Sequence, residues 1–488
     1  MVVHDGPLDS NDAGQGHNCH LGIIASHFHW TLAGYMLMVS NDSILRIHRD
    51  VKNTVSWRDR EIQRHAFRLS ALKRRMFQMA EKKFDSWLIF IFISRIALYA
   101  NFMVYAASLP ILLKEWDMSA TQAGSISSAF MFGYAASLFV FAWLSDYFGA
   151  KRLFLISAVL SALSALVFGF FAQSYRSGLV LYAIAAMTQG GLYTPAIILF
   201  TERYETQKRG GAMGYLIAST SVGYAFSLMV SGLCLAWGGY RTAFIVTGCL
   251  PLAGLMLSWY ALRTTPNRVQ PHIGRPGVFA IFQRSRNVFL LVTGYTFHCW
   301  ELLGMWSWTP AFFAAILAVS GDRFGETAQF GAYLVASMHL IGALASASMG
   351  RLADKIGRRV VLIQVAASGA FLSFVMGWLT TWPISLLVFI GLVYYFFAIG
   401  DSPVLSTALT EAVEPSHLGS ILAVRSLLGF GAGGIAPIAF GAMLDLTNRP
   451  GTAPDTWGWA FMVLGIGGLI ATLCAIYFRE NSTVRSIT

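Results

Sequence analysis

His298 and Glu301 stand three residues apart in the stretch YTFHCWELLGMWSWTP (295–310), so on a helix they share a face that runs on through Met305 and Trp308. Burial disfavours the charged form of a carboxylate, and such a group can exchange protons near neutrality with a neighbouring histidine as relay or partner. Proton coupling at Glu301 is the chemistry this spacing suggests. The plainer alternative is a static ion pair or hydrogen bond, including one from Glu301 to Arg95. Two ligands are too few for a metal, so no metal site is expected.

Three further apolar stretches carry ionisable groups. Arg95 lies about nine residues into its stretch, roughly 13 Å deep on a helix. With Tyr99 one turn on and Phe102 near the same face, it is placed to clamp a carboxylate or other anion beside an aromatic ring. Asp401 in FAIGDSPV and Arg425 in AVRSLLGFGAGG fall about 15 and 12 Å from one end of their stretches, a match that predicts a structural or gating pair. Asp401 as a second proton site is the alternative. Gln189, His298 and Trp308 complete the expected substrate contacts with Arg95 and Tyr99, and His339 is a weaker pocket candidate.

The elements that must position these groups follow from composition. Hydrophobic residues make up 56% of the 488 and charged residues 12%, and mean hydropathy is +0.57. A dozen apolar runs of about twenty residues each match the helix length that crosses a bilayer. They fall at 86–110, 121–144, 153–173, 178–201, 212–237 and 242–262, then at 288–318, 328–349, 360–378, 384–410, 418–444 and 457–478. Between the sixes, residues 263–287 form a basic, proline-containing linker. Alternate loops hold 14 Lys and Arg against five (Lys114, Arg176, Arg241, Arg323 and Arg449), which predicts both termini on the cytoplasmic side of a plasma (inner) membrane. The net charge of +11 is then a topology signal, and no nucleic-acid partner is expected.

One charged phrase is written twice. GRLADKIGRR (350–359) has a weaker copy in AWLSDYFGAKR (142–152), with Asp146 and Asp354 separated by 208 positions. Thr201 and Glu202 return as Thr410 and Glu411, Gly191 as Gly400, Pro195 as Pro403 and Gly124 as Gly331, all at 207 to 209. This is an internal repeat. The loop, of the form G-x-L-A-D-x-x-G-R-K/R, and the two six-helix halves resemble the major facilitator superfamily over about 86 to 478. The second copy matches at Gly350, Leu352, Ala353, Asp354, Gly357, Arg358 and Arg359; the first keeps Leu144, Asp146, Gly149, Lys151 and Arg152 but has Ala142 and Ala150 where the pattern has Gly and a basic residue.

The resemblance implies an all-α membrane protein with twelve transmembrane helices in two pseudo-repeated six-helix bundles, 86–262 and 288–478. It also implies alternating access around a site near mid-membrane. Gating falls to Asp146, Gly149, Arg152, Asp354, Gly357, Arg358 and Arg425. Asp146 is set facing the start of the eleventh helix and Asp354 the start of the fifth, across the halves. Many proton-driven drug exporters of this superfamily carry an arginine three residues before a Gln-Gly pair in the fourth helix, where this chain has Ala186, a departure that weighs against export.

The expected function is a secondary transporter, a proton-coupled symporter of a small organic anion, working as a monomer without cofactors. Export of drugs or metabolites and a non-transporting membrane sensor are the alternatives. No P-loop or nucleophile constellation suggests an enzyme. Residues 1–85 read as a cytoplasmic tail or a start-site extension before Met76 or Met79, and 479–488 as a cytoplasmic tail. Within the first tail HNCH (17–20) lacks a second ligand cluster, and 21–39 is a borderline extra span.

Overall fold

The computed structural model describes residues 85–269, 285–319, 324–448 and 456–480. The N-terminal tail with its HNCH and 21–39 stretches, most of the basic linker and the last eight residues lie outside them. Asp85–Thr488 is one compact unit.

The described residues form helices joined by turns and short irregular stretches, with no strand among them. The first half contains α1 (Ser86–Leu98), α2 (Val104–Glu115), α3 (Ala120–Phe148), α4 (Ala150–Phe171), α5 (Tyr175–Gln189), α6 (Thr194–Arg203) and α7 (Thr206–Leu262). The second contains α8 (Arg286–Val319), α9 (Phe324–Ile356), α10 (Arg358–Met376), α11 (Ile384–Ala412), α12 (Pro415–Thr447) and α13 (Gly458–Tyr477). α1 and α2 together make one crossing, as do α5 and α6, while α7 makes two because it folds back at Gly238 and Gly239. Gly239 has φ 68°, a conformation a side chain disfavours. Six crossings per half result.

Hydrogen bonds to helix ends set the boundaries. Ser119 and Gln122 form a capping box at the start of α3, and Ser174 and Ser177 form one at α5. Large apolar side chains such as Phe139, Leu163, Leu344 and Phe371 are exposed on the outside of the bundle, which is the surface lipid would cover. Between helices small residues let backbones approach: a Cβ on Gly169 would meet the Phe244 carbonyl, and one on Gly248 the Ala165 carbonyl.

The two charged loops join α3 to α4 and α9 to α10 on one face of the bundle, the motif face. Gly149 (φ 82°) and Gly357 (φ 100°) make both turns in backbone space that favours glycine. Each turn is tied to the chain just beyond the last helix of its own half. Asn267 donates to the Phe148 carbonyl at 2.8 Å and accepts from the Arg152 amide at 3.1 Å; Glu480 accepts from the Arg358 amide at 3.0 Å. Arg358 bonds Asp354 and, at 2.9 Å, Glu411 at the end of α11. So the described partner of Asp354 lies in its own half, and its side chain is 62% exposed. Asp146 is half-buried and partnered. The side chains that begin the fifth and eleventh crossings, 206–211 and most of 415–419, lie outside those described.

At the opposite face the halves are clamped together. Asp445 of α12 accepts from the amides of Ala120 and Thr121 at 2.8 and 2.7 Å and from the Thr121 hydroxyl at 2.6 Å. A Cβ on Gly124 would strike the Pro437 carbonyl, one on Gly441 the Ala120 carbonyl, and one on Gly232 the Tyr333 ring. These α3–α12 and α7–α9 crossings close that face.

Candidate functional site

The first crossing is broken near mid-membrane. Helix α1 stops at Leu98 and α2 starts at Val104, leaving Tyr99–Met103 irregular. The freed backbone is satisfied from neighbouring helices: Ser227 donates to the Ala100 carbonyl at 2.5 Å and accepts from the Met103 amide at 3.1 Å, and the Tyr182 hydroxyl donates to the Phe102 carbonyl at 2.6 Å. Asn101, fully buried within the break, has neither side-chain atom bonded.

Arg95 occupies the last turn of α1, where the helix dipole favours a cation. It is fully buried. Its Nε donates to Ser219 at 2.8 Å, and one terminal nitrogen donates to Thr220 at 2.9 Å and Tyr99 at 3.5 Å. The other terminal nitrogen donates to the Leu192 carbonyl, exposed by a 3-10 turn (Gly190–Leu192) that interrupts the fourth crossing. All four partners are neutral. The expected alternative of an ion pair with Glu301 is not formed.

From Tyr99 an aromatic cluster crosses between the halves. Tyr99 and Phe102 pack on Tyr224, at 5.7 and 4.2 Å between ring centroids. Tyr224 meets Trp306 at 5.3 Å and His339 at 5.8 Å, and His339 meets Tyr395 at 5.3 Å. The Trp306 indole N–H, His339 Nε2 and both polar atoms of Gln189 are buried without hydrogen-bond partners. Buried polar groups are normally satisfied, so Trp306 and His339, 5.2 Å apart between ring centroids, mark a place a ligand could complete. A small cavity lined by Phe102, Tyr105, Phe130, Tyr182, Trp306 and Ser307 abuts the break.

Arg425 lies on α12. Its guanidinium lies 3.7 Å from the Tyr295 ring centroid, it is 9% exposed, and its Nε has no partner. On the first half, the half-buried Tyr193 directly follows the Gly190–Leu192 turn whose last carbonyl accepts from Arg95.

The acids lie on the other side of α8. His298 Nδ1 is 2.8 Å from an Asp401 carboxylate oxygen. The Glu301 carboxylate is wedged against Gly369 of α10 and Gly468 of α13, with the Tyr394 hydroxyl as its polar neighbour. Trp308 donates from its indole to the Pro437 carbonyl at 3.0 Å and stacks on Phe440 at 5.2 Å. The side chains of His298, Glu301 and Trp308 thus take their partners from helices of the second half.

This arrangement corrects two expectations. Asp401 pairs with His298 and not with Arg425, whose guanidinium lies on the Tyr295 ring instead. Trp308 is core packing, and Trp306, two residues away and so on the opposite side of the helix, is the tryptophan that faces the other half. Tyr193, Tyr224 and Trp306 were missed by sequence reasoning, since apolar aromatic positions on a membrane helix give no sign of which neighbour they face. The one available signal was the Gly190–Gly191 interruption just before Tyr193.

The family description Major Facilitator Superfamily matches residues 91–402 and 333–487. The chain belongs to the major facilitator superfamily. Among relatives of this superfamily member, SauU, the probable sulfoacetate transporter of Cupriavidus necator, is 22% identical, aligned over 80% of this chain and 92% of its own. The cis,cis-muconate transport protein of Acinetobacter baylyi is 26% identical, over 80% and 94%. Among solved structures, a bacterial homologue of the human lysosomal transporter Spinster, inward-facing and occupied, superposes with TM-score 0.64 at 15% identity over 80% of this chain and 95% of that one. The fold is thus that of a multi-pass membrane transporter.

Proposed function

We propose that this transporter is a proton-coupled symporter of a small organic anion, cycling by alternating access with its motif face and both termini on the cytoplasmic side of the plasma membrane. The observation that carries the reading is Arg95: a fully buried guanidinium at a helix break, held by neutral groups only. A buried cation is costly unless compensated, and a substrate carboxylate would supply both the counter-charge and the geometry of a bidentate contact. The muconate and sulfoacetate relatives support an acidic cargo.

Coupling falls to Glu301 and Asp401, with His298 beside Asp401. An anion entering a cell works against the membrane potential by about 2.3 kcal/mol per charge per 100 mV, and protons moving with it cancel that opposition. The closure at the face opposite the motif loops, through Asp445 and the α3–α12 crossing, is one end-state of the cycle.

The test is reconstitution into liposomes. Labelled cis,cis-muconate or sulfoacetate should accumulate under an acid-outside gradient and lose accumulation with a protonophore. Glu301→Gln should keep substrate exchange while losing gradient-driven accumulation. Accumulation indifferent to the gradient rejects the coupling, and gradient-driven extrusion of apolar or cationic compounds instead rejects the anion reading in favour of export.

A further inference from the structure

Two rings with unpaired nitrogens stand side by side where the halves meet. The Trp306 indole N–H of α8 and the His339 Nε2 of α9 have no hydrogen-bond partner, and the rings lie 5.2 Å apart between centroids. His339 is 1% exposed. Its other ring neighbours are Tyr395 at 5.3 Å and, from the first half, Tyr224 at 5.8 Å; Tyr224 also packs on Trp306 at 5.3 Å. The buried acids of the second half are taken up elsewhere, Asp401 by His298 and Glu301 against Gly369 and Gly468. Trp306 also lines the cavity that Phe102, Tyr105 and Tyr182 form beside the break in the first crossing. Arg95 stands two packed rings away: its guanidinium lies 5.1 Å from the centroid of Tyr99, and Tyr99 meets Tyr224 at 5.7 Å.

We infer that Trp306 and His339 form a hydrogen-bonding subsite for an oxygen of the substrate other than the carboxylate that Arg95 takes. The inference rests on the organic-anion reading and deepens it, because a plain alkyl carboxylate has no such oxygen. An indole N–H only donates, so the group it meets must accept. An imidazole nitrogen donates or accepts according to which nitrogen carries the proton, and a hydroxyl answers either case while still accepting from Trp306. Buried polar groups without partners cost the folded protein stability, so an oxygen that pairs them recovers a cost the protein otherwise carries. An analogue lacking the oxygen recovers nothing, which is how a site of this kind discriminates. Tyr224 comes from the first half and Trp306 and His339 from the second, so a ligand seated on these rings lies between the halves. His339 is thereby a specificity-determining residue.

The experiment compares carboxylates that differ only in a terminal hydroxyl, on the detergent-purified full chain. Butanoate and 4-hydroxybutanoate form one pair, hexanoate and 6-hydroxyhexanoate a longer one. Ligands that bind the folded state raise the unfolding temperature, so titrating each gives its affinity. At one length or the other the hydroxy acid should bind roughly tenfold more tightly, the order of one or two neutral hydrogen bonds. His339→Leu and Trp306→Phe should each remove that preference and leave the plain acids little changed, while His339→Gln, which keeps a donor and an acceptor, should retain part of it. Equal affinities within both pairs in the unsubstituted protein overturn the inference, assign the two nitrogens to bound water and leave the anion reading standing; this comparison needs no variant to fold. If no carboxylate binds and cations or neutral compounds do, the anion reading falls and the inference with it. A preference that survives His339→Leu or Trp306→Phe, in a variant that unfolds cooperatively, overturns the subsite by removing that residue from it.

Discussion

The Asp445 clamp makes a quantitative prediction about the transport cycle. One carboxylate on α12 satisfies the two amides at the start of α3 that the Ser119–Gln122 capping box leaves over, plus the Thr121 hydroxyl, at 2.6 to 2.8 Å. A carboxylate at a helix N-terminus also gains from the helix dipole. The two bonds to Thr121 are open to solvent and the one to the Ala120 amide only part-buried, so each is worth about 1 kcal/mol after solvent competition, and the three together about 2–3 kcal/mol. Asp445→Ala should therefore shift the equilibrium away from closure of this face by roughly 30- to 150-fold. Hydrogen exchange followed by mass spectrometry reads this directly. Amide exchange should accelerate at 120–125 and, because the halves close as bodies, also at 326–335, where Gly232 packs beneath Tyr333. Acceleration confined to 120–122, with 326–335 unchanged, would refute the reasoning and reduce Asp445 to a local helix cap.

The paired tryptophans should separate function from stability. Trp308→Ala deletes a fully buried ring and its bond to Pro437, so it should cost about 3–5 kcal/mol and lower the melting temperature markedly. Trp306→Ala should spare stability by comparison and weaken anion affinity in the thermal-shift titration. Gly468→Ala sets a methyl group against the Glu301 carboxylate, so gradient-driven accumulation should fall while exchange persists, as measured in liposomes. Gly149→Ala and Gly357→Ala impose a disfavoured backbone at positive φ and should each destabilise by about 1–3 kcal/mol, whereas Gly350→Ala, with open space around it, should have little effect on melting.

The number of crossings, their division into two sixes and the twin charged loops were legible in the chain because each depends on local quantities: the length of an apolar run, the spacing of a repeat, a glycine at a turn. The same is true of the ionisable residues themselves, since Arg95, Glu301, Asp401 and Arg425 stand out wherever a membrane span is read. Which groups meet was decided by the tertiary structure. Depth along a helix matched Asp401 with Arg425, but depth carries no azimuth, and the rotation of α8 brings His298 to Asp401 and Tyr295 to Arg425. Helical spacing put His298, Glu301 and Trp308 on one face, yet only packing gives that face its partners on α10, α11, α12 and α13 of its own half and leaves Trp306 looking across. The break at Tyr99–Met103 likewise has no proline or glycine to announce it. It exists because Ser227 and Tyr182, more than seventy residues away in the chain, satisfy the backbone groups the helix gives up. A sequence sets what each helix can tolerate, and the neighbours it packs against determine where that tolerance becomes a site.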